Sequence, residues 1–252
     1  MKVNFSISPR ILSHLGEELI KNESIALFEL IKNSYDACAK NCIIDFHYED
    51  LILTKITIED DGFGMNKEII EKIWLVVGTD NKKNNLILND CGRIPLGEKG
   101  IGRLGVHKLG NKITLISKSK NSKEVELHID WTKLYDAKSI DDFPLELVEN
   151  STPKTFLSGT GVKLIIENLK TKWDRRQLRE VHRNITSLNS PFANNNDSFN
   201  VIASSNNNVF EGLPDFEDIK SNALYFGHCK MRGTEIVEFT YEFKPWESLE
   251  KV

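Results

Sequence analysis

The sequence predicts an α+β fold. Three observations carry that expectation: two helix-periodic segments open the chain, several short runs of alternating apolar residues follow, and a capped amphipathic helix comes after them. With 252 residues, 40% hydrophobic and 28% charged, the chain is large enough for one substantial core plus part of another domain.

Residues 8–20 read as a first helix. Asn22 or Ser24 caps a second, which carries Ile25, Leu27, Phe28, Leu30, Ile31 and Ala37. Residues 42–48 and 55–59 alternate as strands, the second ending abruptly in Asp60-Asp61-Gly62-Phe63-Gly64. Asn66 caps a short helix through Trp74. Residues 76–99 are polar and broken by Gly92, Pro95 and Gly97, a loop long enough to be functional. Residues 100–109 read as a helix reached through glycines, and 112–117, 124–131 and 162–167 as further strands. Asp174 caps a last amphipathic helix with Leu178, Val181, Ile185 and Leu188 on one face. Its Arg175, Arg176, Arg179 and Arg183 read as a solvated face, with a DNA- or phosphate-binding patch as the alternative. Asn-rich stretches then flank a short strand, and 223–226 and 236–243 read as strands too few for a core of their own. The expected organisation is one large domain over 1–192, carrying the long loop at about 76–100, and the start of a second domain over 193–252.

A net charge of −4 gives no global attraction to nucleic acid or to an anionic membrane, so DNA contact has no support from composition. No run is long enough to span a bilayer and the first residues lack a signal-like apolar stretch, so a cytoplasmic location is expected. Cys38, Cys42, Cys91 and Cys229 have no metal-ligand spacing and are read as reduced, mostly packed thiols.

Four motifs carry chemistry. Glu29 and Asn33 stand one helical turn apart, with Asp36 at the edge of the same stripe. Placing a base, an amide and an acid within an otherwise apolar helix is costly unless each finds a partner, although a polar outer face is the plain alternative. Asp60 to Met65 sets a carboxylate at a strand end beside two glycines that permit close backbone approach; Asp-Asp-Gly alone is an ordinary turn. Residues 97–105 (Gly-Glu-Lys-Gly-Ile-Gly-Arg-Leu-Gly) form a glycine-dense run feeding a helix, where exposed amides suit phosphate oxygens. The run formally contains Gly-x-Gly-x-x-Gly, but no apolar strand precedes it. Arg103-Leu104 stands where a P-loop needs lysine and a hydroxyl, so the Rossmann and P-loop readings both fail. Gly159-Thr160-Gly161 opens the strand at 162–167 and taken alone is a plain strand start.

In this order the four motifs, spanning about residues 25–168, resemble the boxes of the GHKL ATPase superfamily, which contains the gyrase B subunit, the ninety-kilodalton heat-shock chaperones, MutL, the MORC proteins and sensor histidine kinases. The resemblance implies a Bergerat fold: a two-layer α/β sandwich whose mixed, mostly antiparallel sheet has helices on one face. It implies ATP as ligand with Mg²⁺ as cofactor, Asn33 holding the metal through its side-chain oxygen, and Glu29 as the catalytic base that activates water. Asp60 would accept from the adenine amino group, supported by Thr160, with Gly64 letting the base sit close. Asp36, Ala37, Met65, Gly100, Ile101, Gly102, Arg103, Leu104 and Gly105 complete the implied ATP-binding set. Lys82 and Lys99 are further phosphate candidates, with solvated lid charges as the alternative. An acid at position 29 favours hydrolysis over the phosphotransfer of histidine kinases, and residues 26–37 look nearest to MORC-like and MutL-like proteins. Nucleotide-dependent lid closure and homodimerisation are the implied output, with a partner domain or protein unspecified; a non-hydrolysing, nucleotide-gated interaction module and a histidine-kinase-type catalytic domain are the alternatives.

Overall fold

The computed structural model describes residues 8–12, 14, 20–76, 91–97, 102, 105–143, 145–188, 199–214 and 216–245. Of the first expected helix, residues 10–12 and 14 are helical and 13 and 15–19 lie outside the described residues. Helix α1 (Glu23–Asp36) starts where Asn22 Oδ1 accepts from the Ile25 amide at 2.8 Å. Its Leu27, Leu30, Ile31 and Ser34 are buried, the spacing of a single helical stripe. Strands β1 (Asn41–Glu49) and β2 (Ile52–Asp60) pair antiparallel. Asn66 caps α2 (Lys67–Ile69), which runs on as a π-turn over Ile70–Trp74 closed by Leu75 N–H to Ile70 O at 2.9 Å. Next come α3 (Gly105–Leu109), β3 (Gly110–Lys118), β4 (Glu124–Asp130), β5 (Glu146–Asn150) and β6 (Gly161–Leu169). In α4 (Arg175–Leu188), Asp174 and Gln177 cap each other reciprocally, Gln177 N–H to Asp174 Oδ1 at 2.8 Å and Asp174 N–H to Gln177 Oε1 at 2.9 Å.

Seven strands form one sheet in the order β5-β4-β3-β6-β2-β1-β7, where β7 is Asn200–Ser205. Every pairing is antiparallel except β1 with β7. This is the mixed, mostly antiparallel sheet expected for the superfamily. Alternation settles which face is covered. Cys42, Ile44, Phe46, Ile56, Ile58, Ile113, Leu115 and Ile166 lie under the helices, while Ile43 and Ile202, at 44% and 45% exposure, look the other way beside the Lys163–Glu59 ion pair. Helix α1 packs against α3 and α4, and Leu178, Val181 and Ile185 of α4 enter the same core. The four arginines of α4 are exposed.

The chain divides into two compact units, Met1–Glu211 and Gly212–Val252. The first takes in β7, a strand beyond the expected boundary at 192. The second holds α5 (Phe216–Ser221) and the hairpin β8 (Tyr225–Arg232) and β9 (Glu235–Phe243), turned at Gly233 with φ +63°. No helix among the described residues is long and apolar enough to cross a membrane.

The cysteine expectation needs correction. Cys38 and Cys91, 53 positions apart, form a disulfide; Cys42 and Cys229 are free thiols, the first buried and the second exposed. The pairing depends on the chain returning to the end of α1 after residue 90, which no local spacing encodes. Cys42 behaves as expected of a packed thiol, burial pushing it up to about 12.

Candidate active site

Asp60 ends β2 and is only 7% exposed. Its Oδ1 accepts from the Gly62 amide (3.0 Å) and the Val162 amide (3.3 Å), and its Oδ2 from the Ser34 hydroxyl (2.9 Å). A carboxylate has about four acceptor positions, so Oδ2 can take one more donor. Burial raises the Asp60 carboxyl to about 6 against the lowering effect of these three donors. The neighbouring Asp61 has a different task. It accepts from the Lys40 and Asn41 amides at 2.7 and 2.8 Å and from the Asn41 side chain, which fixes the start of β1. Of two adjacent aspartates, Asp61 ties down the start of β1 and Asp60 is enclosed in a buried corner.

Ser34 joins that corner to the polar stripe of α1. Glu29 and Asn33 lie within the preceding turn and a half, about 7 Å along the axis. Glu29 Oε1 pairs with Lys32. A Cβ built on Gly102 would lie 3.4 Å from Glu29 Oε2 and 3.6 Å from Asn33 Nδ2, so the glycine-rich run reaches the stripe at Gly102. Gly105 packs as closely on the Ala26 carbonyl, at 3.1 Å from such a Cβ. Asp36 is committed to the same segment from the other side: its carboxylate accepts from the Leu96 amide at 2.7 Å and the Gly97 amide at 3.2 Å. Lys82, Lys99, Gly100, Ile101, Arg103 and Leu104 lie outside the described residues.

The turn after Asp60 is packed tightly. Phe63 N–H donates to the Ala37 carbonyl at 2.9 Å, and a Cβ on Gly62 would meet that oxygen at 2.7 Å. Gly64 has φ +63°, and a Cβ there would sit 2.0 Å from the Lys118 carbonyl oxygen. The strand end of β3 therefore demands a glycine here, whatever a ligand asks. Met65 N–H donates to Ser117 Oγ at 2.7 Å, and Ser117 in turn donates to the Gly161 carbonyl at 3.2 Å. Thr160 Oγ1 donates to the Gly62 carbonyl at 2.6 Å. The structure thus gathers Ala37, Asp60, Gly64, Met65 and Thr160 at one end, and Glu29, Asn33 and Gly102 beside them.

Four participants escaped the sequence reading. Ser34 did leave a signal, a hydroxyl within the buried stripe of α1. Ser117 alternates onto the covered face of β3 and is fully buried. Glu124 is 1% exposed and accepts from the amides of Lys154 (2.9 Å), Thr155 (3.0 Å) and Phe156 (2.8 Å), shaping the loop that leads to Thr160. Burial pushes its carboxyl up, but those amides and the Lys118 charge outweigh it and the net direction is down. Arg93, also buried, donates to the Ala39 carbonyl at 2.6 Å and the Tyr35 carbonyl at 3.3 Å and lies over the Tyr35 ring. Their partners are 26 or more positions away, beyond any local pattern.

The model of the histidine kinase-, DNA gyrase B- and HSP90-like ATPase family matches residues 21–160, more than half of the chain, taking in the first three motifs and the fourth as far as Thr160. This chain belongs to that family. Among individual members, it is 23% identical over 185 residues to the chaperone protein HtpG of Rickettsia akari, covering 63% of this chain and 27% of the chaperone. It is 34% identical over 106 residues to the DNA mismatch repair protein MutL of Buchnera aphidicola, covering 42% and 17% respectively. HgiDII of Herpetosiphon aurantiacus, named as a candidate type II restriction enzyme, is 30% identical over 106 residues, covering 42% of this chain and 16% of HgiDII. The chain therefore spans less than a third of the length of these relatives. Family membership supports ATP binding by this chain.

Proposed function

We propose that the chain binds Mg-ATP between the Asp60 corner and the Glu29–Asn33 stripe and hydrolyses it slowly. The observation that carries this reading is the Asp60 carboxylate, buried, held by three donors and left with one acceptor position, and tied through Ser34 to the helix bearing Glu29 and Asn33. That position suits the exocyclic amino group of adenine. Thr160 donates its proton to Gly62, which leaves the hydroxyl oxygen free to accept from a water at the base edge.

The donor set fits a metal that arrives with its nucleotide. Among the described residues no group of three or more His, Cys, Asp or Glu could hold an ion alone, whereas the Asn33 side-chain oxygen is a sparse donor of the kind that leaves Mg²⁺ its waters and phosphate ligands. Bound there, Mg²⁺ would supply positive charge to the phosphate oxygens. Asn33 would hold it through the side-chain oxygen. Lys32 occupies Glu29 Oε1, which leaves Oε2, the oxygen facing Gly102, to orient a water and take its proton. Amides of the glycine-rich run would receive charge developing on the transferred phosphoryl group. Lid ordering and homodimerisation on ATP binding are the proposed output, with the nucleotide acting as a switch as well as a fuel.

Turnover by Glu29→Ala tests the chemistry. The variant should bind a non-hydrolysable ATP analogue as the wild type does and lose about 10²–10⁴-fold in rate, the usual contribution of a positioned base. Equal turnover would remove Glu29 from the reaction.

A further inference from the structure

We infer that the Cys38–Cys91 disulfide is a redox-modification site that latches the arm 91–97 onto the end of α1 and thereby sets nucleotide affinity; this rests on the nucleotide-site reading above. Cys38 lies two residues beyond α1 in the left-handed region, φ +59°, a conformation unfavourable for a side-chain-bearing residue and one its neighbours must hold. Three attachments converge there on one short arm. The disulfide joins Cys91 to Cys38. Arg93 donates to the carbonyls of Tyr35 and Ala39 on either side of Cys38. Asp36 accepts from the Leu96 and Gly97 amides. Gly97 opens the glycine-rich run whose Gly102 meets Glu29 and Asn33. Among the described residues the arm is the approach to the phosphate side of the site, and the disulfide is the covalent cross-link that ties it to the end of α1.

The two bridged residues differ in exposure. Cys91 is exposed and Cys38 half-buried, whereas Cys42 is buried and its thiol is pushed up to about 12, which leaves it inert as a competing nucleophile. An exposed bridge of this kind belongs to the labile class of disulfides. The co-reactant is a small thiol such as glutathione. Its thiolate attacks the Cys91 sulfur, forming a mixed disulfide and releasing the Cys38 thiolate. A second glutathione thiolate attacks the glutathione sulfur and releases the Cys91 thiolate. Two electrons pass from two glutathiones to the protein bridge, both protein thiolates can take up protons, and oxidised glutathione leaves. Once open, the arm keeps Arg93 and Asp36 but becomes free to exchange between seated and unseated states.

The test uses the full chain in a Cys229→Ser background, which removes the exposed bystander thiol. Protein equilibrated across glutathione redox buffers is alkylated and the modified cysteines are located by mass spectrometry. Hydrogen exchange of 34–41 and 91–97 is compared in the oxidised and reduced forms and in Cys91→Ser, and binding of a non-hydrolysable ATP analogue is measured on the same samples. The expected result is a bridge that opens within the glutathione range, faster exchange of both segments when open, and affinity lower by about threefold or more, as follows if the seated arm is then populated about a third of the time. A bridge that never forms, exchange unchanged on reduction, or equal nucleotide affinity in both forms overturns the proposal. Altered exchange with no nucleotide binding in either form leaves the latch standing and refutes the nucleotide-site reading instead.

Discussion

Replacing Asp60 with asparagine separates the two consequences of burying that carboxylate. Burial raises its carboxyl from 3.8 to about 6, although Gly62, Ser34 and Val162 all donate to it. A carboxyl that holds its proton more tightly in the folded state contributes stability fully below pH 3.8 and loses it as pH rises through about 6. At about 1.4 kcal/mol per tenfold, the ionised side chain lowers stability at pH 8 by about 3 kcal/mol relative to the acid limit. Asparagine has no charge to bury. Its amide oxygen can accept from Gly62 and Val162, and the Ser34 hydroxyl can turn to accept from the amide NH₂, at a loss of about 1 kcal/mol for the weaker neutral hydrogen bonds. Asp60→Asn should therefore exceed the wild type by about 1–2 kcal/mol at pH 8, a rise in Tm of about 3–6 °C for a unit of this size. The advantage should shrink as pH falls and vanish near pH 4. If adenine binds as proposed, the same change sets an NH₂ group against its amino group, and an unsatisfied buried donor costs about 1–3 kcal/mol, so affinity should fall about 10- to 100-fold. Thermal unfolding from pH 4 to 8, with calorimetry of an ATP analogue at pH 8, reads both. A variant less stable than wild type at pH 8, by an amount that does not change with pH, refutes the account of Asp60 as a buried charge. For the wild type, nucleotide affinity should decline as pH falls below about 6, where Asp60 takes up its proton.

Two further substitutions probe the scaffold around the pocket. Gly64→Ala places a Cβ 2.0 Å from the Lys118 carbonyl oxygen at φ +63°, so β3 must shift; a loss of about 4 kcal/mol or more is expected from chemical denaturation, and a loss under about 1 kcal/mol would show that the strand end yields easily. Glu124→Gln presents an NH₂ group to one of three amide donors in a buried corner and should cost about 1–3 kcal/mol at pH 7. Because the Glu124 carboxyl is lowered on folding, its stabilisation is present above the ordinary 4.5 and disappears as pH falls through its folded value. The variant's deficit should close in acid, and a deficit that is independent of pH would mean that shape rather than charge holds the loop.

What the sequence alone determined is local. The stripe of α1 follows from apolar residues at helical spacing, the Asn22, Asn66 and Asp174 caps from short polar side chains just ahead of periodic segments, and the covered sheet face from two-residue alternation. Each depends on interactions within about one turn or one strand pair, so it is written into neighbouring residues. The glycine and acid motifs were legible as chemistry for the same reason. Tertiary structure decided the partners of Asp60 and Asp61, because Ser34 and Val162 reach one while Lys40 and Asn41 take the other. It also decided that Asp36 holds the Leu96 and Gly97 amides, that Gly64 answers to Lys118, that Glu124 shapes the loop before Thr160, and that Cys38 meets Cys91. Those partners stand 20 or more positions apart in the chain, and a contact of that range exists only once a hydrophobic core has fixed where the strands and helices end.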